Sequence, residues 1–455
     1  KPDLAIAHNN LGLTLKELGR FDEAEASLRQ AIALKPDYAE AHSALLFLIS
    51  GFNYKVPHYL KEAQDYGRKT ADTVISRFTG WSCEEESKTL RIGLVSGDLR
   101  NHPVGYFLEG LLNLLSRSNL ELFAYPSTLF EDDLTARIKP HFAAWQPIFS
   151  ISDEAAANLI HRDGIHILID LSGHTAKNRL PIFAWKPAPI QISWLGYFAS
   201  TGVAEIDYIL GDPYVTPVEE ADHFIEKIWQ LPESYLCFTE PNVNMDVCPL
   251  PALANGSVMF GCFNKIERMN DNVVVVWASI LKAIPGSRLF LKDKIFSDSA
   301  MREAVYSRFE LVGIGENRLI LEGSSPRSEY LAAYNRVDIA LAPFPYGGGT
   351  TSAEGLWMGV PVITKRGDHF LSHLGESIAH NTGLSNWIAS DEDDYVAKAV
   401  EFSSNLDDLA ILRSRLRAQV VSSPLFHTER FSNHFERALR DMWSAKHKYN
   451  NSSEE

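Results

Sequence analysis

From about residue 88 onward, the chain alternates short apolar runs with longer stretches in which apolar residues recur at helical spacing. Short apolar runs bounded by turn residues are typical of strands buried on both faces, and the longer stretches are typical of helices that cover such a sheet. The predicted strands are 91–98, 122–128, 165–173, 190–197, 207–212, 258–264, 287–293, 318–323, 338–344 and 361–367. The clearest predicted helices are 271–284, 327–336, 350–358, 392–402 and 428–443. This alternation predicts two doubly wound α/β domains in series.

The first part of the chain has a different period. Residues 5–38 form two stretches of helical spacing, which are joined at Gly19 and end at Pro36. Gly12 and Ala24 are small enough to let the two predicted helices approach closely. The spacing matches the period of about 34 residues of a tetratricopeptide repeat, although any amphipathic helical hairpin gives a similar pattern.

The motif KPD occurs at 1–3 and again at 35–37, which indicates that an earlier repeat ends at the start of this sequence. Residues 37–50 begin another repeat and then diverge, so we expect the last coils of a longer array. The predicted layout is a repeat segment at 1–50, a helical connector at 51–87, a Rossmann-like lobe at 88–231, a linker at 232–257, a second Rossmann-like lobe at 258–427 and a helix at 428–445 that crosses back to the first lobe.

Composition and charge exclude several classes of protein. The formal net charge of −15 repels phosphates, so we expect no general affinity for nucleic acid. An apolar share of 45% and a charged share of 22% are typical of a soluble globular protein. The four cysteines lack metal-binding spacing, which suits a reduced, cytoplasmic protein. No apolar run approaches the ~18 residues of a membrane span, and no signal peptide is evident, so we expect no membrane partner.

One loop carries the chemistry. The sequence FPYGGGTTSAEGLWMG follows a predicted strand, at the edge where parallel sheets bind ligands. Gly347, Gly348 and Gly349 permit positive φ and leave backbone N–H groups bare. Thr350 and Thr351 add hydroxyls at the start of a helix, whose dipole favours an anion. Together these groups predict a phosphate site.

Glu354 has two interpretations. The run from Thr351 to Glu354 matches a capping box, in which the glutamate bonds back to the start of the helix. Because a carboxylate beside a diphosphate is unfavourable, a functional Glu354 would instead reach sideways to ribose hydroxyls. The residues alone leave both interpretations open.

Several longer motifs resemble the protein O-GlcNAc transferase family, in its bacterial form. They are SGDLRNHPVGYF, DGIHILIDLSGHT, PAPIQISWLGYFASTG, MFGCFNKIERMND, ILKAIPGSRLFLK and GGGTTSAEGLWMGVPV. The resemblance implies a GT-B fold, with two Rossmann-like lobes after a helical repeat segment and an active site in the cleft between the lobes. It also implies an inverting transfer of N-acetylglucosamine from UDP-GlcNAc to Ser/Thr hydroxyls, with no metal and no other cofactor. Protein acceptors would bind along the repeats and in the cleft.

The resemblance also assigns the groups that bind the diphosphate. Arg268 lies where the family has a lysine that meets the diphosphate, and this departure keeps the charge but changes the reach. Lys265 is close enough in sequence to share the role, and a plain surface charge is the alternative for Arg268. Thr350 and Thr351 match hydroxyls that hold the phosphates, while Gly349 lies where the eukaryotic enzymes have a histidine.

Three residues would bind the uridine. Glu354 matches the ribose-binding carboxylate, and Arg327 matches a lysine beside the uracil. Tyr330 matches a histidine that stacks on the uracil, and an aromatic ring preserves this contact. The alternative for Tyr330 is a helix-face core residue.

Two histidines are candidates for the acceptor side. His102 matches a cleft histidine that was proposed as the catalytic base, a role that its ordinary pKa allows. A loop histidine that orders the next residue is the alternative. His166 matches a histidine thought to contact the acceptor or the sugar, and a satisfied histidine at a strand start is its alternative. A phosphate oxygen of the donor is a further candidate for the base.

Two other patterns resemble metal sites. Asp391 and Asp393 form a DxD, but they precede a helical stretch, which predicts helix capping. His369 and His373 have zinc spacing without the glutamate of HExxH. We therefore predict no metal.

Two rival functions stay open. One is a related transferase that uses UDP-glucose or another sugar, with asparagine as a further candidate acceptor. The other is an inactive scaffold built on the repeats, which the Arg268 departure favours and the intact glycine loop disfavours.

Overall fold

A computed structural model describes residues 4–52, 54–84 and 87–451. The chain forms two compact units, one made of Lys1–Thr239 and Thr428–Glu455 and the other of Glu240–His427. Residues 1–3, on which the interpretation of an earlier repeat depends, lie outside the described residues. No helix in the described ranges is long and apolar enough to cross a membrane.

The strands form two sheets in which all the pairings are parallel. In chain order the strands are β1 (Leu90–Ser96), β2 (Leu120–Pro126), β3 (Ala144–Trp145), β4 (Ile167–Asp170), β5 (Ile190–Ser193), β6 (Tyr208–Gly211), β7 (Lys227–Gln230), β8 (Met259–Cys262), β9 (Arg288–Lys292), β10 (Leu319–Glu322), β11 (Ile339–Leu341), β12 (Val362–Lys365) and β13 (Ile388–Ala389). The first unit has the strand order β3-β2-β1-β4-β5-β6-β7, and the second has β10-β9-β8-β11-β12-β13.

The helices cover these sheets and form the repeat segment. In chain order they are α1 (Ala5–Glu17), α2 (Phe21–Leu34), α3 (Ala39–Phe52), α4 (Val56–Asp72), α5 (Pro103–Leu115), α6 (Asp133–Ile138), α7 (Asp153–Arg162), α8 (Leu180–Ala184), α9 (Pro251–Asn255), α10 (Asp271–Ala283), α11 (Ser299–Leu311), α12 (Arg327–Ala332), α13 (Thr350–Trp357), α14 (Phe370–Asn381), α15 (Glu392–Ser404), α16 (Leu406–Val421) and α17 (Thr428–Asn451). The predicted fold class, two Rossmann-like α/β lobes after a helical repeat segment, is confirmed.

The repeat segment begins with a tight helical hairpin. A Cβ atom on Gly12 of α1 would lie 2.7 Å from the side chain of Leu28 on α2, so the two helices touch where the sequence has its small residue. Gly19 takes a φ of 73° in the turn, a conformation that favours glycine. Helices α3 and α4 follow this hairpin and pack into the same core as the first sheet.

Each of the ten predicted strands overlaps an observed strand, because each has a local apolar run. Three strands were not predicted. β3 and β13 have two residues each, too few to leave a pattern. β7 is a partly exposed edge strand with the sequence KIWQ, which lacks the apolar run of a central strand.

Part of the predicted linker is pinned to the second unit by buried polar groups. The Arg413 side chain is 1% exposed and donates to the backbone oxygens of Cys248 and Val337, at 2.8 and 2.7 Å. The Asp338 carboxylate accepts from the N–H groups of Ala252 and Met259. Charged groups this deeply buried are stable only when their hydrogen bonds are satisfied, so this segment has a defined path.

Candidate functional site

The glycine loop presents an unbroken row of backbone donors. It follows β11 and leads into α13. Within the part of the chain that the structure describes, none of the N–H groups of residues 347–352 donates a hydrogen bond. Buried or half-buried N–H groups are normally satisfied, so this row has the chemistry of an anion site. The Thr350 hydroxyl also makes no hydrogen bond to the described residues, and it lies at the first position of α13.

The three glycines are needed for a different reason than expected. None of them has a positive φ, so the predicted conformational requirement is wrong. A Cβ atom on Gly348 would lie 2.0 Å from Thr351 Oγ1 and 2.4 Å from Asn264 Oδ1. The same atom on Gly347 or Gly349 would meet nothing closer than 3.8 and 3.5 Å. Only Gly348 is therefore required by space.

Arg268 lies against this loop. Its Nη1 donates to the Gly347 carbonyl oxygen at 2.8 Å and lies 3.3 Å from Asn264 Oδ1. The guanidinium carbon is 3.6 Å from the centre of the buried Tyr346 ring, a stacked geometry that suits arginine. Nε and Nη2 donate no hydrogen bond to the described residues. Arg268 therefore holds the loop through Nη1, and its Nε and Nη2 groups are the donors that it would offer to a ligand.

Lys265 does not join Arg268 at the loop. Its side chain is 63% exposed, and Nζ lies 3.7 Å from Glu267 Oε1. An exposed ion pair at this distance contributes little to the stability of the fold. The structure thus brings only one of the two predicted cations to the glycines.

Asn264 is a site residue that the sequence interpretation missed. Its Oδ1 accepts from the Thr351 hydroxyl at 2.8 Å, so it fixes the orientation of that hydroxyl. It follows β8, the strand beside β11, at the carboxyl edge of the sheet. The signal was available, because Asn264 is the last residue of the predicted strand 258–264, and a polar residue at this end of a strand is a ligand candidate.

Glu354 is not part of a capping box. Gly349 is the N-cap of α13, with no side-chain cap, so the capping interpretation is wrong. The Glu354 side chain is instead buried and paired with Arg327 Nη1. Burial raises the pKa of this carboxyl, and Arg327 opposes that rise. The carboxylate is thus engaged with Arg327 of α12 and not with the start of α13.

An aromatic cluster lies beside the carboxylate. The Tyr330 ring is 5.6 Å from Phe263 and 6.0 Å from Tyr334, both edge-to-face. The Arg327 guanidinium carbon is 5.7 Å from the Tyr330 ring. Tyr334 donates to the Thr351 backbone oxygen at 3.0 Å, which ties the cluster to the glycine loop. Burial raises the pKa of both tyrosines, so each hydroxyl stays protonated.

His102 lies at the carboxyl edge of the first sheet. It is the N-cap of α5, and its Nδ1 accepts from the Val104 N–H at 3.4 Å. The imidazole is 36% exposed, and Asp98 Oδ2 is 3.7 Å from Nδ1. When Nδ1 accepts, the proton of the neutral ring is on Nε2. The ring then offers a donor rather than a base.

His166 lies at the opposite edge of the same sheet. It precedes β4, and its Nδ1 accepts from the Arg91 N–H at 3.1 Å. Its ring is buried and packs edge-to-face on Trp443, with the centres 4.8 Å apart. His166 thus lies beside Arg91 near the start of β1, whereas His102 follows the end of that strand. The structure does not bring the two histidines together at one edge of the sheet.

The two metal-like patterns have structural roles. Asp391 caps α15 by accepting from the Asp394 N–H at 2.8 Å. His369 lies at the N-cap of α14, where it bonds Ser372, and His373 pairs with Glu376. Across 4–52, 54–84 and 87–451, no three histidine, cysteine, aspartate or glutamate side chains are grouped as metal ligands.

Comparisons with known proteins identify the family of the chain. The model of the family "Glycosyl transferase family 41" matches residues 77–245 and 249–435, and a tetratricopeptide repeat model matches residues 5–38. The structure of a mutant O-GlcNAc transferase from Thermobaculum terrenum is similar, with a TM-score of 0.93 and 34% identity, over 99% of this chain and 86% of that one.

Curated relatives are longer. A Solanum lycopersicum protein named "Probable UDP-N-acetylglucosamine--peptide N-acetylglucosaminyltransferase SPINDLY" is 34% identical over 419 residues, which are 90% of this chain and 45% of the relative. The Arabidopsis thaliana protein of the same printed activity named SEC is 32% identical over 78% of this chain and 37% of its own length. The chain spans less than half the length of these relatives. The extent of these matches shows that the chain belongs to glycosyl transferase family 41.

Proposed function

We propose that the protein transfers N-acetylglucosamine from UDP-GlcNAc to Ser/Thr hydroxyls of proteins, with inversion at the anomeric carbon. The observation that carries this proposal is the row of N–H groups at 347–352, next to the Thr350 and Thr351 hydroxyls and the Arg268 guanidinium. These groups suit a diphosphate that gains charge as it leaves. The printed names of the relatives support the choice of sugar and acceptor.

The leaving group would be stabilised without a metal ion. Fixed donors are most effective where charge develops, because they need no reorganisation during the reaction. Arg268 is already held by Gly347 and Tyr346, so its remaining N–H groups are presented in one orientation. We expect the reaction to continue in excess EDTA.

The uridine would bind beside the aromatic cluster. Glu354 accepts hydrogen bonds from the ribose hydroxyls, while Arg327 and Tyr330 contact the uracil. A test is Glu354→Gln, which keeps the shape but removes the charge. The affinity for UDP should fall about tenfold, the loss of one charged hydrogen bond.

A 2′-deoxy analogue makes this test specific. The affinity for dUDP should change less than that for UDP, because one of the hydroxyls that Glu354 binds is missing. Glu329→Gln, an exposed change of the same charge on α12, is the matched control. An equal loss for both nucleotides would contradict ribose recognition by Glu354.

The acceptor proton would not go to His102 while that ring caps α5. Its Nδ1 is engaged with Val104, so Nε2 would donate to a substrate oxygen. A phosphate oxygen of the donor is then the base that we propose. Protein acceptors would bind along the repeat segment, and we place the enzyme in the cytoplasm because its scattered cysteines suit a reducing compartment.

Mass analysis of an acceptor protein tests the function directly. Incubation with UDP-GlcNAc should add one N-acetylhexosamine per modified site, and incubation with UDP-glucose should add nothing. A hexose adduct would instead support the transferase with another sugar. Calorimetry with UDP distinguishes the transferase from the inactive scaffold, because the scaffold would bind no nucleotide.

A further inference from the structure

The loop 194–203 lies where the first sheet would meet a substrate. It follows β5 at the carboxyl edge, the edge at which parallel sheets bind ligands. Leu195 in this loop has a φ of 74°, a left-handed conformation that is strained for a leucine. Such strain persists only when the surroundings fix the backbone, and it concentrates at functional sites. The question is what fixes this loop.

Tyr59 of helix α4, in the predicted helical connector, holds this loop. Its side chain is fully buried, and its hydroxyl donates to the Ser200 backbone oxygen at 2.7 Å. The same hydroxyl is 2.7 Å from the Tyr197 hydroxyl. Because a tyrosine has one proton to donate, Tyr197 is the donor of this second bond. Two members of the loop are thus held by one atom of α4.

A second connection runs through His174. Its Nε2 is 2.8 Å from the Thr201 backbone oxygen, which only accepts, so the ring proton is on Nε2. Its Nδ1 therefore accepts from the Ser43 hydroxyl on α3, at 3.0 Å. Burial lowers the pKa of His174 to about 3, which keeps the ring neutral and this arrangement intact at working pH.

The backbones of α4 and the loop also touch directly. A Cβ atom on Gly67 would lie 1.7 Å from the Gly202 carbonyl oxygen, and one on Gly202 would lie 2.0 Å from the Ala63 carbonyl oxygen. On its other side the loop is held by the buried Glu226, which accepts from the Ser200 hydroxyl and the Thr201 N–H, both at 2.7 Å.

We propose that Tyr59 is a positioning residue for the transfer reaction, which acts by fixing loop 194–203 at the substrate edge of the first sheet. Helices α3 and α4 are then part of the catalytic structure, besides any role in binding acceptors. The inference rests on the proposed function, since it assigns the loop to the same reaction. Only Gly196 and Phe198 of the loop are partly exposed, so they are the positions from which it would face a substrate.

The test is Tyr59→Phe in the full chain, which removes both hydrogen bonds and keeps the ring. We expect the kcat for a short acceptor peptide to fall about fivefold to tenfold, the loss expected from one or two neutral hydrogen bonds. The Kd for UDP should stay within about twofold, because the row of donors at 347–352 is in the other unit. Amide hydrogen exchange in peptides covering 194–203 should become faster.

Tyr66→Phe is the matched control. Tyr66 is equally buried on α4, and its ring packs on His174, but among the described residues it makes no hydrogen bond to the loop. It should change neither kcat nor loop exchange. An equal loss of kcat in both variants, or unchanged exchange of the loop in Tyr59→Phe, would overturn the proposal. A wild-type protein that binds UDP but transfers no sugar would instead contradict the proposed function, and the exchange comparison would still decide whether Tyr59 fixes the loop.

Discussion

Gly348→Ala tests the diphosphate site at its tightest point. The added methyl would lie 2.0 Å from Thr351 Oγ1 and 2.4 Å from Asn264 Oδ1, and both distances are far below van der Waals contact. Neither atom is at the end of a long flexible chain, so the backbone or both side chains must move. The hydrogen bond between Thr351 and Asn264, 2.8 Å long, joins the two atoms that the methyl meets.

The size of the effect follows from these contacts. Overpacking of a well-packed site costs about 1–3 kcal/mol, and the lost hydrogen bond adds about 1 kcal/mol. The free energy of unfolding should therefore fall by about 2–4 kcal/mol. UDP binding loses the oriented Thr351 hydroxyl and shifts the neighbouring N–H groups. A loss of about 1.4–2.8 kcal/mol would weaken the affinity tenfold to hundredfold.

Gly347→Ala is the matched control one residue earlier. Its methyl would meet only the Pro343 carbonyl oxygen, at 3.8 Å. The control should bind UDP within about twofold of the wild type, and it should unfold at a slightly higher temperature because alanine restricts the unfolded chain. Isothermal calorimetry with UDP measures both variants. Equal affinities for the two would refute the argument that Gly348 is required by space.

Two further predictions concern charged groups. Arg268→Met should weaken UDP binding by tenfold or more, while Arg268→Lys should bind with intermediate affinity, because lysine keeps the charge without the stacked planar guanidinium. Calorimetry with UDP measures both variants. An unchanged affinity in Arg268→Met would exclude Arg268 from the diphosphate site. Burial raises the pKa of Asp170 from 3.8 to about 7, so this group makes the free energy of unfolding fall as pH rises through that window. His174, lowered from 6.5 to about 3, acts in the opposite direction. Urea unfolding between pH 4 and 6.5 should therefore show a steeper rise of stability with pH in Asp170→Asn than in the wild type, and an unchanged slope would contradict the buried, protonated carboxyl.

The sheet strands were predictable because their signal is local. A strand buried on both faces is mostly apolar, so β1 and β4 can be predicted from their own residues. The glycine loop was predictable for the same reason, since its donors and hydroxyls are contiguous. The reason why Gly348 must be a glycine was not predictable from the local sequence. Its neighbours in space include Asn264, which is 87 positions from Thr351 in the chain.

The long-range hydrogen bonds could not be predicted from the local sequence either. Tyr59 and Ser200 are 141 residues apart, and Ser43 and His174 are 131 apart. Nothing near a buried tyrosine says which carbonyl it will reach. His166 is a different case, because the predicted strand 165–173 already put it at a strand start, away from the edge that binds ligands. The structure places it at that start, buried and packed on Trp443.

In each unit a side chain holds a backbone oxygen of a loop at the carboxyl edge of the sheet. The two loops differ in whether the N–H of the same peptide also has an acceptor among the described residues. In a planar trans peptide, the C=O and the following N–H point in opposite directions, so holding the oxygen also aims the N–H. In the first unit, Tyr59 holds the Ser200 oxygen, and the N–H of that peptide donates to Glu226, so both ends are satisfied. In the second, Arg268 holds the Gly347 oxygen, and within the described residues the N–H of that peptide has no acceptor. A peptide oriented at one end and unsatisfied at the other is prepared for an anion before any anion arrives, and this is why we expect the donor to bind a preformed loop, with little change in amide exchange elsewhere in the second unit.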